Sequence, residues 1–204
     1  MSDIQNVDYE AFPAQAAQIR SYAQELNTEL TNAYTNITNM HNVWYGKRYN
    51  SLVTSFNNII PQLNQLLDLV VGEIPYAIET AANNYSNVDE KGNIVSAQNT
   101  PSNKIAEIPV INDVGLRFMP ADVSDIQNQV STNLDNSKSK MDSIEEAYNK
   151  IVWNSDAGES FRSTFISLKT QIVSAFEDLK SQFTTLMNQA QEDMQSAESA
   201  NTVG

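Results

Sequence analysis

The side chains able to do acid–base, nucleophilic or metal chemistry are few in this 204-residue chain, and they are scattered. There is one histidine, His41, and no cysteine. That excludes a thiol nucleophile, a disulfide framework and a thiolate metal site, and it leaves His41 without a second imidazole for a metal. His41 stands near the end of a helix-forming stretch, where it can favour the negative end of the helix dipole. Acidic runs such as DSIEEAY and FEDLK read as solvated helix faces. No nucleophile–base pair, phosphate-cradling glycine loop or ligand set stands out, so the chain reads as a non-enzyme with no catalytic, cofactor-binding or metal residues. The chemistry that remains is that of turns and recognition. Trp44 is followed two residues later by Gly46, and Trp153 by Ser155. A glycine weakens a helix by about 1 kcal/mol relative to alanine, so its place between two helix-forming runs marks a corner. Further on, Tyr85 precedes Asp89 by four residues, as Met194 precedes Glu198.

The elements that position these residues are long helices. Four stretches carry apolar residues at steps of three and four. The first starts near Pro13 and carries Ile19, Tyr22, Leu26, Leu30, Ala33, Ile37 and Met40. The second follows Gly46 with Leu52, Phe56, Ile59, Leu63, Leu66, Val70, Ile74, Ala77, Ala81 and Tyr85; Pro61 and Pro75 should kink it, and VGEIP is a candidate break. The third runs from Pro120 through Val123, Ile126, Val130, Leu134, Met141, Ile144, Tyr148 and Ile151. The fourth has the clearest seam: Phe161, Phe165, Leu168, Ile172, Phe176, Leu179, Phe183, Met187, Ala190 and Met194. The only candidate strand is a short piece near IPVIND. The 30 or so residues before Pro120 are rich in turn formers and weakly periodic, and read as a linker.

The formal net charge is −13 and the sequence pI about 4.3, so a polyanion such as nucleic acid would be repelled. The longest apolar-rich segment, IIPQLNQLLDLVVGEIPYAI, is interrupted by polar residues and two prolines, so no stable membrane insertion is expected. The opening MSDIQNVDYEAFP lacks a basic region followed by an apolar run, so a conventional secretory signal is not expected either.

The helices form two copies of one hairpin. A shift of 107 residues lays VDYEAFPAQAAQI on VGLRFMPADVSDI, matching Pro13 with Pro120 and Ile19 with Ile126. A shift of 109 lays Val43-Trp44 on Val152-Trp153 and Phe56 on Phe165. The expected organisation is a first hairpin at 1–89, a linker at 90–119 and a second hairpin at 120–204. Each Trp then sits at a tip where one helix turns into the next, Gly46 supplies the unusual backbone, and Ser155 or Asp156 caps the fourth helix. The linker length bears on how the hairpins meet. A helix of 30 residues is about 45 Å long, and 30 extended residues reach roughly 100 Å. That is enough to cross a bundle before the second hairpin starts, as antiparallel packing requires. The fold expected is all-α, two helix-turn-helix hairpins packed antiparallel into a four-helix bundle.

Trp44-Tyr45-Gly46 at the turn of a hundred-residue helical hairpin, with Leu52 following, resembles the WXG family of small type VII secretion substrates. The resemblance covers nearly the whole chain apart from the linker. It implies hairpins that pair antiparallel, here as a fused pseudo-dimer, and export from Gram-positive bacteria by a membrane-ATPase machine without a cleaved signal. It also implies an export signal, Tyr-x-x-x-Asp/Glu, which Tyr85 and Asp89 match in YSNVD. The second copy departs from the pattern: it has Trp153 without the glycine, and Glu198 without the tyrosine, Met194 standing there instead. The function so implied is a secreted helical protein, cytoplasmic before export, travelling folded as a substrate or as carrier of a co-secreted effector. The alternative is a cytosolic helical scaffold or chaperone that binds a partner helix. The residues also allow plainer roles: both tryptophans as core of the hairpin tips, and Tyr85 as a seam residue with its hydroxyl at the bundle end. An intrachain pseudo-dimer and a swapped homodimer remain open at this point.

Overall fold

The computed structural model of the chain describes residues 7–113, 115–153 and 155–201. Val114, in the matched repeat, falls outside them. The chain is mostly helical, as the periodicity predicts, and all-α apart from one pair of two-residue strands. After a 3₁₀ turn at Tyr9–Ala11 come α1 (Phe12–Met40), β1 (Trp44–Tyr45), α2 (Lys47–Asn57) and α3 (Ile60–Asp68). A π turn at Leu69–Glu73 leads into α4 (Ile74–Val88), and β2 (Arg117–Phe118), α5 (Pro120–Asn149) and α6 (Asp156–Asn201) follow the linker.

The first, third and fourth stretches are single helices, and the second is three joined segments. Pro61 and Pro75 stand at the second residue of α3 and of α4, in a first turn where a missing N–H is tolerated. Before Pro61 the ladder tightens, with Ile59 N–H donating to the Phe56 carbonyl at 3.0 Å. Before Pro75 it widens into the π turn, which inserts one residue into the helix. VGEIP therefore bends the ladder without ending the helical stretch.

That extra residue corrects the seam. Up to Val70 every position expected of the second stretch is buried, and Tyr49, Val53, Ile60, Leu67 and Leu69 are buried beside them. Beyond the π turn Ile74 and Ala81 are buried as expected, but the stripe runs on through Ile78 and Ala82, with Ser86 buried below, and leaves Ala77 and Tyr85 out of the core. Tyr85 is left 36% exposed. In α1, Ala23 takes the buried place expected of Tyr22. In α5, Ile126 is only half-buried, and the gap between Leu134 and Met141 is filled by buried Ser137, whose hydroxyl donates back to the Asn133 carbonyl. The α6 seam is buried from Phe165 to Phe183 and again at Ala190.

The chain divides into two compact units. Unit 1 comprises residues 1–27, 64–104 and 138–170, and unit 2 comprises 28–63, 105–137 and 171–204. Each gathers segments of all four helical stretches and half of the linker. IPVIND forms no strand; β2 lies further on and pairs antiparallel with β1, Trp44 opposite Phe118 and Tyr45 opposite Arg117. The acidic runs are more than solvated faces. Asp142 and Glu145 hold Lys169 of α6, and Glu177 and Asp135 hold Lys180.

Candidate functional site

The residues singled out by the sequence fall into one cluster in unit 2 and two in unit 1. In unit 2, α1 ends in a turn that Val43 N–H closes on the Met40 carbonyl at 2.9 Å, and the chain then extends through Trp44 and Tyr45 along β2. Trp44 is 1% exposed. Its ring stacks on Phe183 of α6 at 6.0 Å and meets the edges of Phe118 at 5.6 Å and Tyr49 at 6.2 Å. Gly46 turns the chain into α2 with φ +114° and ψ −169°, a region essentially reserved for glycine. Space excludes a side chain there as well, since a Cβ would lie 2.9 Å from the Leu116 side chain. Behind the corner, Tyr49 donates to the Ile37 carbonyl at 3.1 Å, and burial pushes its hydroxyl up to about 12. His41 is half-buried with Nε2 2.7 Å from the carboxylate of Asp113, an acid of the linker. Arg48 bonds Asp193 at 2.9 Å, one residue before Met194. Met194 is half-buried and lines a small cavity with Trp44, Phe118 and Ala190, while Glu198 is exposed.

In unit 1, the second corner is built differently. Trp153 is 8% exposed and stacks on Phe161 at 6.4 Å. Ser155 stands immediately before α6, and its hydroxyl accepts the Gly158 N–H at 3.1 Å. It is the cap, and Asp156 is the first helical residue. Gly158 has no room for a side chain: a Cβ would lie 2.7 Å from the Trp153 carbonyl oxygen. The second corner thus also has a glycine where a side chain has no room, here within the helix and against the tryptophan itself. Tyr148 donates to the Gly158 carbonyl at 2.6 Å, and burial pushes it up to about 12. Trp153 and Phe161 face Tyr76, Ala77, Thr80 and Asn84 of α4 across an open groove of about 440 Å³.

The third cluster, also in unit 1, surrounds Tyr85 and Asp89. Asp89 is the residue at which α4 ends. A carboxylate is disfavoured at a helix C-terminus, and two groups compensate it. Tyr9 donates its hydroxyl to Asp89 Oδ2 at 2.5 Å, and the Lys91 ammonium lies 3.2 Å from the same oxygen. The Tyr9 hydrogen bond first and Lys91 second hold the Asp89 carboxyl below its ordinary range. Lys91 also bonds Glu10 at 2.8 Å and lies over the Tyr9 ring. The Tyr9 ring stacks on Tyr85 at 6.4 Å, and Phe12 meets Tyr85 edge-on at 6.3 Å.

The structure therefore brings Tyr85 and Asp89 together on the surface, one helical turn apart and joined through Tyr9. The groove beside Trp153 reaches Asn84, next to Tyr85 in α4. Sequence reasoning missed Tyr9, Glu10 and Lys91. The aromatic–acid pair just ahead of Phe12-Pro13 was the available signal, and only the fold gives it a partner 80 residues away. Among the described residues no cluster of three or more His, Asp or Glu side chains is placed to hold a metal ion. Nor, among the described residues, is any helix long and apolar enough to cross a membrane. Compared with protein-family models, with curated proteins and with solved structures, the chain matches none.

Proposed function

We propose that this chain is a tandem WXG-type protein exported by a type VII secretion machine, its two hairpins packed antiparallel as a fused pseudo-dimer. The observation that carries the reading is the surface pair at the end of α4: Tyr85 is 36% exposed and Asp89 presents its carboxylate one turn later. Antiparallel packing is supported within each unit by a corner of one hairpin lying against the other. Trp44 stacks on α6 in unit 2, and Trp153 faces α4 in unit 1. Recognition rests on Tyr85 and Asp89. The second copy offers Trp153 and a capped helix but no tyrosine at its end, so it serves as the structural partner.

The test is the fraction of protein in the culture medium with and without the secretion ATPase. Tyr85→Ala and Asp89→Ala should each remove the protein from the medium while it stays abundant and helical in cells. Both side chains lie on the surface, so neither change empties the core. Secretion of both variants at the wild-type level rejects the proposal and favours the cytosolic scaffold.

A further inference from the structure

Residues 90–104 of the linker lie in unit 1 without burying a single side chain. They are held chiefly by their main chain, with side-chain bonds from Lys91 to Glu10 and Asp89, between Asn93 and Asn87, and from Ser102 and Lys104 to Asp68 at the two ends. Asn83 of α4 accepts the N–H groups of Ile94 and Val95 at 2.9 and 3.1 Å and donates to the Val95 carbonyl at 2.9 Å. Three residues on, Glu79 accepts the Gln98 N–H at 3.2 Å while Arg20 of α1 donates to the Gln98 carbonyl at 2.7 Å. Asn27 then donates to the Asn103 carbonyl at 2.7 Å. Glu79 and Asn83 are 4% and 9% exposed, and Glu79 is paired with Arg20. Burying a charge is costly unless it is paired and hydrogen-bonded, and the linker supplies the remaining bond. Gly72 completes the seat, because a Cβ there would lie 2.7 Å from the Thr100 carbonyl oxygen.

Groups that bond the N–H and C=O of an extended chain recognise polypeptide whatever its side chains. We propose that this α1–α4 face is a docking groove for an extended segment of a partner protein, small and polar in its side chains. The linker occupies it in cis and is exchanged for that segment. The proposal is independent of the secretion reading. Two observations favour exchange over a permanent seal. The linker here buries no apolar anchor, and segments with few buried contacts open at the low end of the stability range. The bonds at Ile94, Val95, Gln98 and Asn103 also go to the occupant's main chain and not to its side chains. The cis segment competes at an effective concentration in the millimolar range, so an intact chain takes a trans segment only weakly, and releasing the linker unmasks the groove.

The experiment uses the full chain and a fluorescent synthetic peptide of residues 92–104. Val95→Pro with Gln98→Pro removes two of the linker's N–H donors and leaves the groove untouched. This variant should bind the peptide about tenfold or more tighter than the wild type does. Adding Asn83→Ala should remove that binding, and a peptide scrambled around a fixed Pro101 should bind within about threefold, its main chain being the same. A chain nicked at an engineered protease site at Gly92, which is exposed and has nothing within 4 Å of its Cβ direction, provides the same readout should the proline variant lose helicity. Absence of peptide binding by a folded released chain overturns the proposal. Binding of the native peptide alone overturns main-chain reading.

Discussion

Asp89 shows how a single side chain at the end of a helix is made tolerable. Its charge opposes the helix dipole, and the Tyr9 hydroxyl and the Lys91 ammonium offset that cost through one oxygen, Oδ2. The sign of the resulting pH dependence follows. A carboxyl held below its ordinary range in the folded chain takes up its proton at higher pH once unfolded. Its contribution to stability is therefore present above the unfolded value of about 3.9 and is lost as pH falls through the folded one. Tyr9→Phe removes the donor that contributes most while keeping the ring over Tyr85. The Asp89 titration, followed by NMR of the side-chain carboxyl, should then move up toward the ordinary carboxylate range. An unchanged titration would mean that Tyr9 does not hold Asp89 in solution. The opposite sign operates at Tyr49 and Tyr148. Both are pushed up to about 12 by burial, so their contribution is intact below about 10 and fades as pH climbs through 12.

At the scale of elements, the π turn and the linker carry what the helical pattern alone does not. The insertion at Leu69–Glu73 rotates the buried face by one residue, which turns Asn83 and Glu79 inward and Tyr85 outward. It also brings Gly72 against Asn99 and Thr100. Gly72→Ala should therefore lift the linker without unfolding the helices. Amide exchange at 94–100 should speed up by about tenfold or more, as expected for local opening, with helical circular dichroism unchanged. Exchange at the wild-type rate would show that the linker is not seated against the π turn. The four helical stretches and both corners were legible in the sequence because a long apolar period sums over many residues. Trp44, Gly46 and Ser155 were legible because turns and caps demand particular side chains. The π turn was not, since one inserted residue leaves steps of three and four looking regular from Ile74 to Tyr85. The linker's seat was hidden for another reason. Asn83 and Asn57 each bracket a linker peptide, Asn57 by accepting the Ile108 N–H and donating to its carbonyl, yet nothing local separates them from the many asparagines on exposed faces.

For the whole molecule, the question is whether the two hairpins belong to one chain or are exchanged between two. β1 and β2 fix the start of α5 beside the Trp44 corner of its own first hairpin, with Met119 N–H bonded to the Val43 carbonyl at 3.0 Å. The linker before β2 is tied down too, through Ile108 held by Asn57 and through Ile105 and Ile108 buried. A swapped dimer needs slack in this segment, and its bonds remove that slack. A net charge of −13 also sets one copy against another. We therefore expect intrachain pairing, and the chain's lack of cysteine makes the test direct. Arg48 and Asp193, one from each hairpin, are bonded at 2.9 Å and partly exposed, so replacing the pair costs little stability. Arg48→Cys with Asp193→Cys, treated with a short bifunctional thiol reagent, should crosslink at the mass of one chain. Unfolding an equal mixture of the two single-cysteine chains and refolding them together should produce no crosslinked dimer. Dimer formed from that mixture would establish exchange between chains, and with it a pairing of hairpins that the bonds along 105–119 fail to prevent.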